Sequence, residues 1–127
     1  LLEMRSGAYC SSGGVWTNAS SREYKKGIKE LTGDEAIDAL KELSPVKFSY
    51  KSSSDEKYVG FIAEDVPELV ATKNRKGMSA MDVVAVLTKV VQEQQKTISD
   101  LSKEMAELKK ELKSKGPLTL AKVRSEN

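Results

Sequence analysis

The sequence predicts an α+β fold: a small domain with short helices and a β-hairpin, followed by a long C-terminal helix forming a parallel coiled coil. Three observations predict it. Val46, Phe48 and Tyr50 alternate with Lys47, Ser49 and Lys51, the period-two signature of a strand. After the turn-forming SSSDE, YVGFIA reads as the return strand of a hairpin whose loop is longer than the tightest two-residue turns. From Ala80 to Lys115 there is neither Pro nor Gly, and apolar residues recur on a heptad.

Residues 1–19, LLEMRSGAYCSSGGVWTNA, are Gly- and Ser-rich with no sustained helical period, and read as extended or loop structure. A globule over residues 20–79 follows. Ser20 and Glu23 have the S-x-x-E spacing of a capping box, and REYKKGIKEL predicts a short helix or turn broken near Gly27. After Thr32-Gly33, DEAIDALKEL places Ala36, Ile37, Leu40 and Leu43 on one helical face, and Pro45 stops the helix. Beyond the hairpin, EDVPELVATKNRKGMS is a connector with a single helical turn near Pro67, ending at the Gly77 turn. Its adjacent acids Glu64 and Asp65 read as a helix cap rather than paired catalytic carboxylates. So few short elements bury a small core, and oligomerisation is expected to supplement it.

The helix over residues 80–115 supplies the means. Val84, Val91, Ile98, Met105 and Leu112 fall at heptad position a, with Leu87, Gln94, Leu101 and Leu108 at d. Glu104 and Glu111 fall at g and Lys109 at e, so Glu104 of one helix meets Lys109 of a parallel neighbour. Val83, Val86 and Val90 widen the stripe in the upstream half, which therefore packs on its own globule while the Lys- and Glu-rich half forms the narrower intermolecular seam. The alternative is one long amphipathic helix packed entirely on its own domain. Seam composition leaves two and three strands open, because β-branched a positions with Leu at d favour dimers while Met105, Leu112 and Gln94 blur that preference. The tail over residues 116–127 follows a Gly-Pro stop and is expected to be loosely ordered.

Composition narrows the chemistry. The chain has 127 residues, 21 basic and 19 acidic, and its net charge of +2 is dispersed, so neither nucleic acid nor a membrane surface is an expected partner. No apolar run approaches the roughly 18 residues of a membrane span. There is no signal-peptide pattern, and the opening Leu suits a piece of something longer. One cysteine, Cys10, precludes an intrachain disulfide, and with no histidine the usual metal clusters and Ser-His triads cannot be built. No cofactor and no metal is expected.

Against that background the chain resembles a known family, the C-terminal intramolecular chaperone and autoprotease domain of phage endosialidases, tailspikes and tail fibres, also found in the myelin regulatory factor. The resemblance is carried by ASSREYKKGI, DALKELSPVKFSYK, VGFIAEDVPELV and the C-terminal coiled coil, in that order, over residues 16–112. It implies a homotrimer that guides the folding and register of an upstream β-rich stalk of the same polypeptide and then cuts itself off. The implied cleavage site lies between Ala19 and Ser20, with Ser20 as nucleophile and Lys25 as its base. Residues 1–19 are then the end of the stalk. The host cytoplasm during virion assembly is the implied location, with the parent protein in the virion tail. In the family an acidic residue commonly follows the serine and an arginine often comes two later, whereas this chain has Ser21 and Arg22-Glu23.

The dyad is chemically reasonable in a protein without histidine, since a neutral lysine can take a serine's proton. An ordinary lysine titrates near ~10.4, so activation needs desolvation or neighbouring positive charge. Arg22, Lys26 and Lys29 are close in sequence, and Trp16 and Tyr24 are expected to wall Lys25 from water. Residues five apart on a regular helix point about 140° away from each other, so the pair requires a bend or contact across subunits. Other readings of the same residues are a plain helix cap at Ser20 and an N-x-S glycosylation acceptor at Asn18-Ala19-Ser20. At the level of function, the alternatives are a non-cleaving trimerisation chaperone and a coiled-coil adaptor.

Overall fold

A computed structural model describes residues 1–116, so the expected loose order of the tail beyond Gly116 lies outside the described residues. The chain forms two compact units, Leu1–Glu30 and the residues from Leu31 on. Its architecture is α+β, with two β-sheets and a long C-terminal helix.

In the first unit the stretch read as extended or loop forms three two-residue strands, β1 (Leu2–Glu3), β2 (Tyr9–Cys10) and β3 (Trp16–Thr17). They are antiparallel, with Leu2 opposite Cys10 and Tyr9 opposite Thr17. Strands this short lie below any period-two signal; the glycines set them, because the connecting turns carry Gly7 at φ +85° and Gly14 at φ +81°, which residues with a Cβ rarely adopt. Only Ala8 of this unit is buried.

The second unit starts with a capping box. Thr32 Oγ1 accepts the Glu35 backbone N–H at 3.2 Å, while the Glu35 carboxylate accepts the Thr32 backbone N–H at 2.9 Å. Helix α1 (Gly33–Glu42) follows. Ala36 and Ala39 are buried, and Ile37, Leu40 and Leu43 pack around them, so the expected face is present with Ala39 added.

The hairpin joins β4 (Val46–Tyr50) to β5 (Ser53–Gly60). Its turn is tighter than expected. Ser53–Glu56, read as loop, belong to β5, and only Lys51 and Ser52 connect the strands. Phe48 pairs with Tyr58 but Tyr50 pairs with Ser53, so two steps along β4 match five along β5, and this irregularity absorbs the surplus residues. The rings of Phe48, Tyr50 and Tyr58 cluster with centroids 5.2 to 5.9 Å apart. After the hairpin a one-turn 3-10 helix, Glu68–Val70, follows Pro67, and an isolated bridge between Ala71 and Met78 closes the connector.

Helix α2 (Ala80–Ser114) has 35 residues and is therefore about 52 Å long. Val86 and Val90 enter the core with Ala36, Ala39, Val66 and Val70, and Val83 packs at its edge. The upstream half thus uses its widened stripe on its own globule, as the valine pattern implies. From Gln94 to Ser114 every residue is exposed, so among the described residues the helix does not pack along its whole length on its own domain. Among the described residues, no helix is long and apolar enough to cross a membrane.

Two substitutions test this account. Thr32→Ala is expected to cost about 1 kcal/mol, and Val86→Ala about 2 kcal/mol from lost burial and an unfilled gap, both read by urea denaturation. Hydrogen bonds from the Thr32 backbone and side chain hold the Glu35 carboxyl below its ordinary value. A carboxyl lowered by folding contributes stability above its unfolded value and loses it as pH falls through the folded one. The penalty of Glu35→Ala is therefore expected at neutral pH and shrinks in acid; a penalty independent of pH refutes the charged cap.

Candidate functional site

The first unit brings Ser20 and Lys25 together. Between them lies a one-turn 3-10 helix, Arg22–Tyr24, closed by Tyr24 N–H to the Ser21 carbonyl at 3.2 Å and Lys25 N–H to the Arg22 carbonyl at 3.1 Å. A 3-10 turn has three residues per turn, and here it is flanked by extended backbone at Ser21 and Lys25. The chain therefore reverses without the five-residue helical offset that separates such side chains. Lys25 Nζ donates to Ser20 Oγ at 2.6 Å. The bend alone suffices, and no second subunit is needed to make the contact.

Two expectations about this segment require correction. Ser20 and Glu23 do not form a capping box: the residue capping the turn is Ser21, with no side-chain cap bond, and three residues offer too few orphan amides for one. The capping box belongs to Thr32 and Glu35, an equally good T-x-x-E match immediately before the first sustained apolar period. Nor do Trp16 and Tyr24 wall Lys25 from water on this chain. Trp16 is 50% exposed, Tyr24 65%, and every residue from Ser20 to Glu30 is exposed. A single 3-10 turn buries none of its residues, so it offers no apolar shelter.

The residues before Ser20 lie on and beside the short sheet. Trp16 sits on β3 opposite Cys10, and its indole Nε1–H donates to Asn18 Oδ1 at 2.8 Å. Ala19 is half-buried between exposed Asn18 and Ser20. Its methyl carbon lies 3.7 Å from where a Cβ would stand on Gly7. The approach of Ala19 to Gly7 is not legible in the sequence, because it depends on how the short sheet folds back on itself, whereas the Trp16–Asn18 bond joins residues two apart.

The acids of the connector are not a helix cap. Glu64 pairs with Lys76 at 3.0 Å, and the Asp65 backbone closes a turn on Ile62. Hydrogen bonding and charge from Lys76 lower the Glu64 carboxyl, helped by Arg75. The Arg75 guanidinium donates to the Glu64 and Val66 carbonyls, holding a non-glycine residue at φ +51° in the left-handed region. The group is a loop clasp. Among the described residues, no cluster of His, Cys, Asp and Glu is suited to a metal ion.

On α2 the heptad positions stay open. Val84, Leu87, Val91, Ile98, Leu101, Met105, Leu108 and Leu112 range from 43% exposed at Leu87 to 60% at Val91, and Gln94 is exposed among them. They form an apolar stripe spanning about 42 Å at the helical rise.

Comparison with known proteins adds one finding. Residues 20–92 match the peptidase S74 family, chaperone of endosialidase, with the match opening at Ser20 and ending within α2. No curated protein and no solved structure matches the chain. The match spans more than half of the sequence and includes Ser20, Lys25, α1, the hairpin and the start of α2: the chain belongs to the chaperone-of-endosialidase family.

Proposed function

We propose that the chain is an intramolecular chaperone that trimerises through α2, guides folding of the β-rich stalk preceding it in a phage tail fibre or tailspike, and then releases itself by cleaving the Ala19–Ser20 bond. The observation that carries the cleavage is the 2.6 Å contact from Lys25 Nζ to Ser20 Oγ. Assembly takes place in the host cytoplasm, and the parent fibre ends in the virion tail. The family match supports the chaperone role, and the uncovered stripe from Val84 to Leu112 supports self-association.

The chemistry uses only the chain and water. Lys25, as the neutral amine, takes the proton of Ser20 Oγ, which attacks the carbonyl carbon of Ala19 through a five-membered ring. As the ring collapses, the carbon–nitrogen bond breaks and the proton passes from Lys25 to the Ser20 nitrogen. The Ala19 acyl group now sits on Oγ as an ester, and the Ser20 amine is free. Water hydrolyses the ester, giving the Ala19 carboxylate and restoring the serine hydroxyl. Because nucleophile and carbonyl are adjacent in the chain, effective molarity on the order of 10⁵ M or more replaces much of the catalytic apparatus a multiple-turnover protease needs.

Assembly supplies what the single chain lacks. Lys25 is exposed in one copy, and covering it with neighbouring subunits in the trimer favours the neutral amine, so cleavage follows correct assembly. Intact mass spectrometry of purified protein is expected to give a product beginning at Ser20 and a released 1–19 fragment, both lost in Ser20→Ala and Lys25→Ala. An uncut wild-type trimer overturns the protease reading and leaves a non-cleaving chaperone. Changing Leu101 and Leu108 together to Asp is expected to give monomers by light scattering and to slow cleavage at least about tenfold, since each buried Leu contributes roughly 1.5–3 kcal/mol. Monomers that cleave at the wild-type rate refute the coupling to assembly.

A further inference from the structure

Ring closure at Ser20 depends on two torsions of that residue, χ1, which aims Oγ, and φ, which turns the preceding peptide plane towards it. Lys25 addresses the first, since its 2.6 Å hydrogen bond holds the hydroxyl. It has no hold on the second. Fixing φ requires that the peptide plane between Ala19 and Ser20 be held from the stalk side. Two features act there: the Trp16 indole N–H on Asn18 Oδ1 at 2.8 Å, and half-buried Ala19, whose methyl carbon lies 3.7 Å from where a Cβ on Gly7 of the β1–β2 turn would stand. Both are tied to the sheet. Trp16 pairs with Cys10 across β2 and β3, and the turn is closed by Gly7 N–H to the Met4 carbonyl at 2.9 Å and Met4 N–H to the Ala8 carbonyl at 2.7 Å.

We propose that Trp16 and Asn18 are positioning residues for self-cleavage: their hydrogen bond, with half-buried Ala19 beside the Gly7 turn, orients the acyl half of the scissile bond for attack by Ser20. This rests on the self-cleavage reading above. The stalk segment is then part of the machinery that removes it, and cleavage dismantles its own support, since Trp16, Asn18 and Ala19 all leave on one side of the cut. Partial burial beside that turn also favours a small residue at position 19.

The test follows the first-order cleavage rate in the full chain after assembly. One net hydrogen bond corresponds to a change of about 2- to 10-fold. Trp16→Phe, which keeps an aromatic ring but loses the N–H, and Asn18→Ala are each expected to slow cleavage by that factor. The double variant is expected to be no slower than either one, as two partners in one interaction require. Asn18→Asp keeps the acceptor oxygen and is expected to retain the wild-type rate, whereas Ala19→Val is expected to slow it. All variants must keep the wild-type trimer mass and the wild-type shape of the pH–rate profile, because none touches Lys25. Wild-type cleavage with additive effects, or with Trp16→Phe and Asn18→Ala unchanged in rate, overturns the positioning role alone. Wild-type protein that does not cleave overturns the reading beneath it.

Discussion

One helix with two apolar faces is the constraint on which the second unit depends. Val86 and Val90 are four residues apart, so they share a face and reach Ala36, Ala39, Val66 and Val70. Leu87 and Val91 each follow by one residue, about 100° around the helix, and cannot join that core. The core is small because α1 offers alanines where larger side chains would hold α2 away. The same close approach brings Glu93 of α2 against Gly33, where an added Cβ would stand 2.8 Å from the Glu93 carboxyl carbon. Docking the first turns of α2 on α1 therefore directs the rest of the helix outward with its seam uncovered.

That uncovered seam gives physical content to a chaperone role. An isolated helix in water draws little stability from propensity alone and depends on packing of its apolar face. Among the described residues, the segment from Gln94 to Ser114 packs on nothing in its own chain. On the proposed reading, neighbouring copies cover it, and the same parallel alignment brings three stalk ends together in register. A β-rich stalk has many near-equivalent registers, since a strand slipped by one residue reverses its faces. A heptad seam interrupted by one polar residue, Gln94, is a far more specific ruler.

The candidate pair of Ser20 and Lys25 has the opposite character, a good contact in a poor setting. The hydrogen bond from Lys25 to Ser20 is short, yet both partners are exposed to solvent. A hydrogen bond aims the hydroxyl, but it does not by itself keep an amine neutral. Separating geometry, made within one chain, from desolvation, supplied by the assembled trimer in the proposed scheme, gives a protease that is built early and used late. A single cut tolerates that arrangement because nothing has to be released and rebound.

Much of this protein is visible in its sequence, and the exceptions share a cause. Alternation in VKFSYK specifies β4, Pro45 ends the helix before it, and an unbroken heptad run specifies α2, because each is a repeated local preference summed over many residues. The five-residue separation of Ser20 and Lys25 is legible too, but whether the pair meets is not, since a regular helix keeps them apart and a 3-10 turn joins them. Two T/S-x-x-E matches that open helical turns, at Ser20 and Thr32, compete for the capping box. Tertiary structure awards it to Thr32, whose helix buries Ala36 and Ala39, and not to Ser20, whose turn buries nothing. The tight hairpin and the loop clasp at Glu64, Arg75 and Lys76 likewise depend on partners brought together by folding. The sequence by itself determined the elements and the chemical identity of the candidate pair, because periodicity and residue type are local. Only the tertiary structure decided which apolar face is buried and which hydroxyl the lysine meets, because those outcomes depend on close approach between segments that no local pattern records.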